Sequence, residues 1–547
     1  MKAKTTILTC IISICIFSLS YANNIGIIPK PQELIELKES FTLNSNVCVV
    51  STLESFKTAF RLQEYLKEEF GIHVEIKDSK AANDRVIIFK KNTELEKEAY
   101  ELHITEDEIQ IIASNSTGWF YGIQSLKQLF PVPSDSSRKI SFFDISGVII
   151  KDSPRFAWRA FMLDEARYFK GMEQVKMLLD EMALLKMNVF HWHLVDDQGW
   201  RIEIKKYPLL TQIGSKRKST QIGPLHWKSP IQSAETHEGF YTQEEIKEII
   251  KYADDRHITI VPEIEMPGHS SAAIASYSWL GTAKKDIDVP IMFGVGKDVY
   301  DVSDPKVYQF LTDVLDEVIE LFPSKVIHIG GDEVKYDHWK KSASVQAYMH
   351  KNNLSTPAEL QVFFTNSISQ YLQGKDRRMM GWNEIMGHNL HEYQDESDTH
   401  TDLELAKESV IHFWKGDIDL LTQAASNGYD IVNSLHSETY LDYTYKNLPL
   451  SRAYAFNPIP AKLNPKYHDK VIGTGCQMWG EWIPTDGEMH FQVFPRIAAY
   501  AEVGWTQSEN KNFDEFVIAL QKLKKYWKQK GIYFAPDPFV GILPDTK

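Results

Sequence analysis

Short apolar runs recur through the middle of the chain, and each stops at a cluster of polar or aromatic residues. Residues 161–163 end at Asp164 and Arg167, and 188–195 end at Asp196 and Asp197. The run 258–261 leads to Glu263, Glu265 and the tripeptide Pro267-Gly268-His269. Residues 326–329 stop at Gly330-Gly331-Asp332-Glu333, and 378–380 at Gly381-Trp382-Asn383-Glu384. The run 410–413 meets Trp414, 430–433 leads on to Tyr440-Leu441-Asp442, and 471–473 leads to Gln477-Met478-Trp479-Gly480-Glu481. Between these runs the periodicity turns helical. Val175, Leu178, Leu179 and Met182 follow the i, i+3, i+4, i+7 spacing. Asp304 and Pro305 open a stripe from Val307 to Val318 that Pro323 ends, and Thr242 opens another through Ile246, Ile249 and Ile250. Eight strands alternating with helices predict an α/β fold. It is a (β/α)8 barrel of the TIM type, with functional groups gathered at the C-terminal ends of its strands.

The barrel pattern occupies residues 151–510, with a C-terminal helix and tail, 511–547, expected to pack on it. Residues 1–22 read as a signal peptide. Lys2 and Lys4 precede an apolar run over 7–19, and Ser20-Tyr21-Ala22 supplies a small-x-small cleavage site. The run is too short for a typical membrane span. Export to the periplasm or the exterior is expected, without membrane insertion. Residues 25–150 mix both periodicities: a helix over 56–70 closed by Gly71, strands over 72–76, 85–89, 100–104 and 108–113, and a helix over 117–129. They predict a small α+β domain packed on the barrel. A chain of 547 residues accommodates two domains or more. Only Cys48 and Cys476 follow the signal; they are expected as buried thiols in separate domains, too few for a disulfide framework.

Charge narrows the partners. The net charge of −14, from 60 basic and 74 acidic residues, argues against nucleic acid and anionic membrane surfaces. The chemistry concentrates at Asp332 and Glu333. Neighbours on a regular strand face opposite ways, so two adjacent acids serve one pocket only if the backbone turns, which Gly330 and Gly331 permit. Such a pair suits acid/base work, or a charged orienter beside an acid. Trp382, Trp414 and Trp479 stand at strand ends rather than on helix stripes, where flat apolar walls suit a sugar ring.

The motifs in order carry a resemblance. They are Ile28-Pro29-Lys30-Pro31-Gln32, Gly118-Trp119-Phe120-Tyr121-Gly122, Pro154-Arg155-Phe156, Leu163-Asp164-Glu165-Ala166-Arg167, His191-Trp192-His193-Leu194-Val195-Asp196-Asp197, Pro267-Gly268-His269, His328-Ile329-Gly330-Gly331-Asp332-Glu333, Tyr440-Leu441-Asp442 and Trp479-Gly480-Glu481. With them, the chain resembles the β-N-acetylhexosaminidases of glycoside hydrolase family 20 over nearly its whole mature length. Glu265 departs from the pattern, which has Asp two residues before Pro-Gly-His; a longer carboxylate there is expected to shift the His269 network.

The resemblance implies a retaining, substrate-assisted reaction on terminal β-linked N-acetylhexosamine, in which the sugar's own acetamido oxygen is the nucleophile. It implies Glu333 as general acid and base, with a pKa raised by its neighbour, and Asp332 as the ionised partner of the acetamido N–H. His269 and Asp196 would stand behind Glu333. Tyr440 would aim the acetamido oxygen, Trp382, Trp414 and Trp479 would wall the N-acetyl group, and Arg167, Asp442 and Glu481 would bind ring hydroxyls. Asp197 is given a structural place at the barrel mouth. No metal or cofactor is implied. Two alternatives remain open. His191 and His193, with His269 and His328, resemble a metal-dependent hydrolase barrel. A carbohydrate-binding barrel without activity is the other, although pure binding has no use for the Asp332–Glu333 pair.

Overall fold

The computed structural model describes residues 25–542, apart from 83, 133–139, 224–226, 228, 389 and 392. The expected signal peptide lies outside the described residues. Eight parallel strands close a barrel, one at each apolar run: β1 (Trp158–Asp164), β2 (Val189–His193), β3 (Thr259–Glu263), β4 (Val326–His328), β5 (Arg378–Trp382), β6 (Val410–Phe413), β7 (Asp430–Asn433) and β8 (Val471–Met478). Both faces are buried, which is why these runs are nearly continuous in hydrophobicity. Helices follow with their expected caps. The Thr242 hydroxyl accepts from Glu245 N in a capping box that opens Gln243–Asp254, and the Asp304 carboxylate accepts from Lys306 N ahead of Pro305–Leu321.

Strand register places the chemistry. Asp164 lies opposite His193, His193 opposite Glu263, and Glu263 opposite His328. Four polar side chains thus form one layer at the C-terminal end of β1 to β4, the end at which such barrels build their sites.

Ahead of the barrel a seven-stranded sheet runs in the order Glu33–Asn44, Phe142–Asp152, Tyr100–Ile104, Glu108–Ala113, Val86–Lys91, Cys48–Val50, Glu75–Lys77. The strand expected over 72–76 is Glu75–Lys77, because Gly71 closes the preceding helix and 72–74 serve as its connection. Glu33–Asn44, Cys48–Val50 and Phe142–Asp152 escape the sequence pattern. The first is an edge strand that buries only Phe41 and Leu43, so it carries little alternation. Cys48 and Cys476 are buried free thiols, as expected. Among the described residues no helix is long and apolar enough to cross a membrane.

A buried ion pair joins sheet and barrel. Lys186 Nζ lies 2.9 Å from Asp152 Oδ2 and donates to Tyr100 Oη at 2.8 Å, and Trp505 Nε1 donates to Asp152 Oδ1 at 2.9 Å. The C-terminal helix Phe513–Gln529 adds Trp527 Nε1, which donates to Glu181 Oε2 on the barrel helix Met172–Leu184. Both charges of the Lys186 pair are fully buried. Lys186→Met strands the Asp152 carboxylate and is expected to cost about 3–5 kcal/mol in chemical denaturation, only partly recovered when Asp152→Leu is added, because that change leaves the buried Trp505 and Tyr100 donors unpaired. A single variant as stable as the parent contradicts the assignment.

Candidate active site

β4 stops at His328, and the next five residues form a tight turn. Gly330 (φ 65°), Gly331 (φ 89°) and Glu333 (φ 52°) all occupy the left-handed region. This irregular backbone lets adjacent acids share one pocket, as the glycines suggested. A Cβ on Gly330 would lie 1.7 Å from Glu265 Oε2 of a buried side chain, and its φ of 65° is one that L side chains rarely adopt. Gly330→Ala is therefore expected to destabilise by about 2 kcal/mol or more, and to lower kcat by displacing the acids. An unchanged unfolding midpoint and full activity would refute this account.

His269 stands beside Glu333, with Nε2 at 3.6 Å from Glu333 Oε2 and 3.9 Å from Asp332 Oδ2. Its Nδ1 faces Asp196 Oδ1 at 3.2 Å and Asp197 Oδ2 at 3.3 Å. Burial disfavours charge on this ring, yet the two aspartates, Asp196 foremost, outweigh it and hold His269 well above the usual histidine range. Asp197 also ties the loops, accepting from Ser271 N and Gly296 N at 3.0 Å each, so it combines the structural place expected of it with a contact to His269 that was not expected.

The charges of the two acids correct the sequence expectation. Burial pushes Glu333 up, but the hydrogen bond and charge of His269, with His391 and Lys415, hold it below the usual range. Asp332 is pushed well above it by burial, with Glu384 and Glu333 adding repulsion that His269 does not offset. The sequence places His269 behind Glu333 but does not reveal that the aspartates beyond it favour its charged form. Asp332 Oδ1 is buried without a hydrogen-bond partner among the described residues.

Aromatic rings from β5, β6 and the loops after β7 and β8 form a box. Trp382 is buried at its floor, stacked on His412 at 4.1 Å. Tyr440 lies parallel to Trp414 at 6.0 Å and 5.8 Å from Trp479, and the charge of Asp332 reaches Tyr440. Trp382 is 6.4 Å from Trp414 and 5.9 Å from Trp479. Beyond Trp479, Arg167 is held between Asp164 Oδ2 (3.2 Å) and Asp196 Oδ2 (2.8 Å), and reaches to 3.9 Å from Glu481 Oε1. Arg167 is thus both a barrel salt bridge and a wall of the pocket. Asp442 Oδ1 is buried and unpartnered among the described residues; burial, then the charge of Glu481, pushes its carboxyl up to about 8.

The four histidines of the metal alternative do not converge. His269 belongs to the Asp196 chain, while His191, His193 and His328 surround Glu263 below the floor, at 2.8, 2.6 and 3.0 Å. Trp382 Nε1 donates to Glu263 Oε1 at 2.8 Å, and Gly330 N donates to His328 Nδ1 at 3.0 Å. Glu263 Oε1 and His328 Nδ1 are thus engaged by protein donors, and these two bonds tie Trp382 and the acid turn to the cluster.

Comparison with known proteins now decides the lineage. The family model "Glycosyl hydrolase family 20, catalytic domain" matches residues 156–508, and "Glycosyl hydrolase family 20, domain 2" matches 24–153. The chain belongs to glycosyl hydrolase family 20. A β-hexosaminidase of Porphyromonas gingivalis is 35% identical over 535 residues, 95% of this chain, and this chain spans 65% of that protein's length. The family 20 exo-β-N-acetylglucosaminidase of Vibrio harveyi, solved in complex with N-acetylglucosamine, superposes with a TM-score of 0.79 at 31% identity, covering 94% of this chain and 78% of that one. The β-N-acetylhexosaminidase structure of Bacteroides fragilis gives 0.76 at 31% identity, covering 93% and 97%.

Within this family 20 glycoside hydrolase the Glu265 departure acts elsewhere than expected. Glu265 Oε2 accepts from Gly331 N at 3.4 Å, and no hydrogen bond joins it to His269 among the described residues. Its length is taken up under the acid turn. His391 and Lys415, beside the acids, had no place in the sequence reading, and Glu384, named there only as a strand-end residue, had no role. Glu384 Oε2 accepts from Trp414 Nε1 at 2.8 Å, and Oε1 faces His391 Nε2 at 3.0 Å. His391 comes from the connection after β5, where no periodicity marks it.

Proposed function

We propose that this protein is an exo-acting β-N-acetylhexosaminidase that removes terminal N-acetylglucosamine or N-acetylgalactosamine with retention, by attack of the substrate's own acetamido oxygen. One observation carries the reading: a box of Trp382, Trp414, Trp479 and Tyr440 beside a buried Asp332 oxygen that lacks a protein donor. An N-acetyl group matches both halves. Its methyl fits among the rings, and its N–H supplies the donor that Asp332 lacks. That hydrogen bond, and the positive charge that grows on the amide as the oxazolinium forms, favour the ionised carboxylate and reverse the upward shift that burial causes. Glu333 takes the opposite course. Enclosed by substrate, it gains a proton for the leaving oxygen, then as carboxylate activates the water that opens the ring. His269, backed by Asp196, steadies each charge state. Arg167, Asp442 and Glu481 hold the ring hydroxyls at the closed end, which makes the action exo. The signal-like residues 1–22 support export to the periplasm or the exterior.

The test is release of N-acetylhexosamine from a panel of terminally β-linked glycans and from a chromogenic N-acetylglucosaminide. Turnover of none, with sugar still bound, would return the protein to a binding role; loss of turnover on chelation would revive the metal alternative. A further outcome follows from Asp442 and Glu481. Above about pH 8, where Asp442 ionises, a 6-sulfate on the terminal sugar meets like charge in a partly dry pocket, so kcat/KM there is expected to be about tenfold or more lower for the 6-sulfated than for the plain N-acetylglucosaminide. Asp442→Asn should narrow the gap. A wild type that favours the sulfated sugar overturns this placement.

A further inference from the structure

The closed end and the rim of this site are lined by opposite kinds of group. Asp442, Glu481 and Asp164 crowd the closed end, whereas the groups around the outer side of Glu333 are basic. Glu333 Oε1 faces His391 Nδ1 at 3.6 Å, on the side away from His269. Lys415 Nζ donates to His391 Nδ1 at 3.0 Å, and since an ammonium only donates, Nδ1 is the acceptor and Nε2–H points to Glu384. The ring of Tyr393 stacks on His391 at 5.0 Å and 13°, and Lys335 Nζ sits 2.8 Å from the centre of the Tyr393 ring. Neither Lys335 nor Lys415 has a carboxylate within 4.0 Å among the described residues. The charges that bear on Lys335 are Glu333, Asp337 and Lys297, and the nearby Asp395 and Asp398 are taken up by Lys340 at 3.6 and 2.7 Å.

We propose that Lys335 and Lys415, held by the His391–Tyr393 stack, form a leaving-group subsite for an acidic sugar, one bearing a carboxylate or a sulfate. The proposal rests on Glu333 being the general acid, because the leaving oxygen must take its proton there and the departing sugar must lie on that side. A lysine held over an aromatic face keeps N–H groups free for a second partner. Two such ammonium groups, half-buried and with no carboxylate within 4.0 Å among the described residues, in a chain of net charge −14, make a local field suited to an anion rather than to a neutral sugar. Tyr393 is the spacer: its hydroxyl is within reach of the charges of Glu333 and Glu384, and the residue is 43% exposed, so it stands at the mouth of the pocket.

The experiment uses two matched pairs of disaccharides with terminal β-N-acetylglucosamine, one linked to glucuronate or to glucose, the other to 6-sulfogalactose or to galactose. The ratio of kcat/KM within each pair is read in wild type, Lys335→Met, Lys415→Met and Tyr393→Ala. Wild type is expected to favour an anionic member by about three- to fivefold at low salt, less at high salt. The pair that shows it identifies carboxylate or sulfate. Lys335→Met should bring the ratio toward one, and Tyr393→Ala should do the same without removing a charge, because it releases Lys335. Parity in both pairs, or a preference that survives both lysine variants, overturns the subsite while leaving the hexosaminidase reading intact. No release from any member, nor from the chromogenic N-acetylglucosaminide, overturns both.

Discussion

Glu333→Gln will fold normally and will lose about 10²- to 10⁴-fold in kcat/KM on substrates whose leaving group is a sugar. The amide keeps the size of the side chain and its place in the left-handed turn, but it has no proton to give. A sugar alkoxide is a poor leaving group and needs that proton in the transition state. An aryl group such as dinitrophenol leaves without it, so single-turnover release of the phenol should fall far less. The two substrates therefore separate acid catalysis from binding. In the free protein His269 holds Glu333 below the usual range, so the wild-type acid depends on enclosure by substrate to regain its proton. Equal loss on both substrates would remove Glu333 from the acid role.

The second large effect belongs to the substrate. A β-glucoside with hydroxyl in place of the 2-acetamido group will turn over about 10⁵-fold more slowly than the N-acetylglucosaminide, because the internal nucleophile and its high effective concentration are gone. No carboxylate among the site residues is placed to replace it: Asp332 faces the aromatic box, and Glu333 faces His269 and His391. Conversely, a thiazoline that mimics the closed, charged intermediate should bind far more tightly than N-acetylglucosamine. Efficient cleavage of the plain glucoside would point to a protein nucleophile and end the substrate-assisted reading.

The barrel was legible because eight runs repeat one rule, apolar residues that stop at polar ones, and burial on both strand faces makes that rule strong. Glu33–Asn44 was not, because an edge strand with one wet face needs few apolar residues. In the site, Asp332, Glu333 and the tryptophans announced themselves by standing at strand ends. The state of the acids did not, since a pKa depends on neighbours from β2, β3 and the connection after β5 that come together only in space. The same holds for His391 and Lys415. Each is an ordinary loop residue in the sequence and acquires meaning only from its distance to Glu333.

The layer around Glu263 has a consequence for the speed of the reaction. This buried carboxylate accepts from Trp382, and three histidine rings crowd round it. Burial holds His191 down at about 4, whereas Glu263 and Asp196, against burial, hold His193 up at about 10. Beneath the aromatic box, then, lies a polar lattice of a carboxylate and three rings held in place by the fold. Water in that place would have to turn its dipoles as charge grew on the amide. This floor is oriented when the chain folds, and so adds little reorganisation to the barrier.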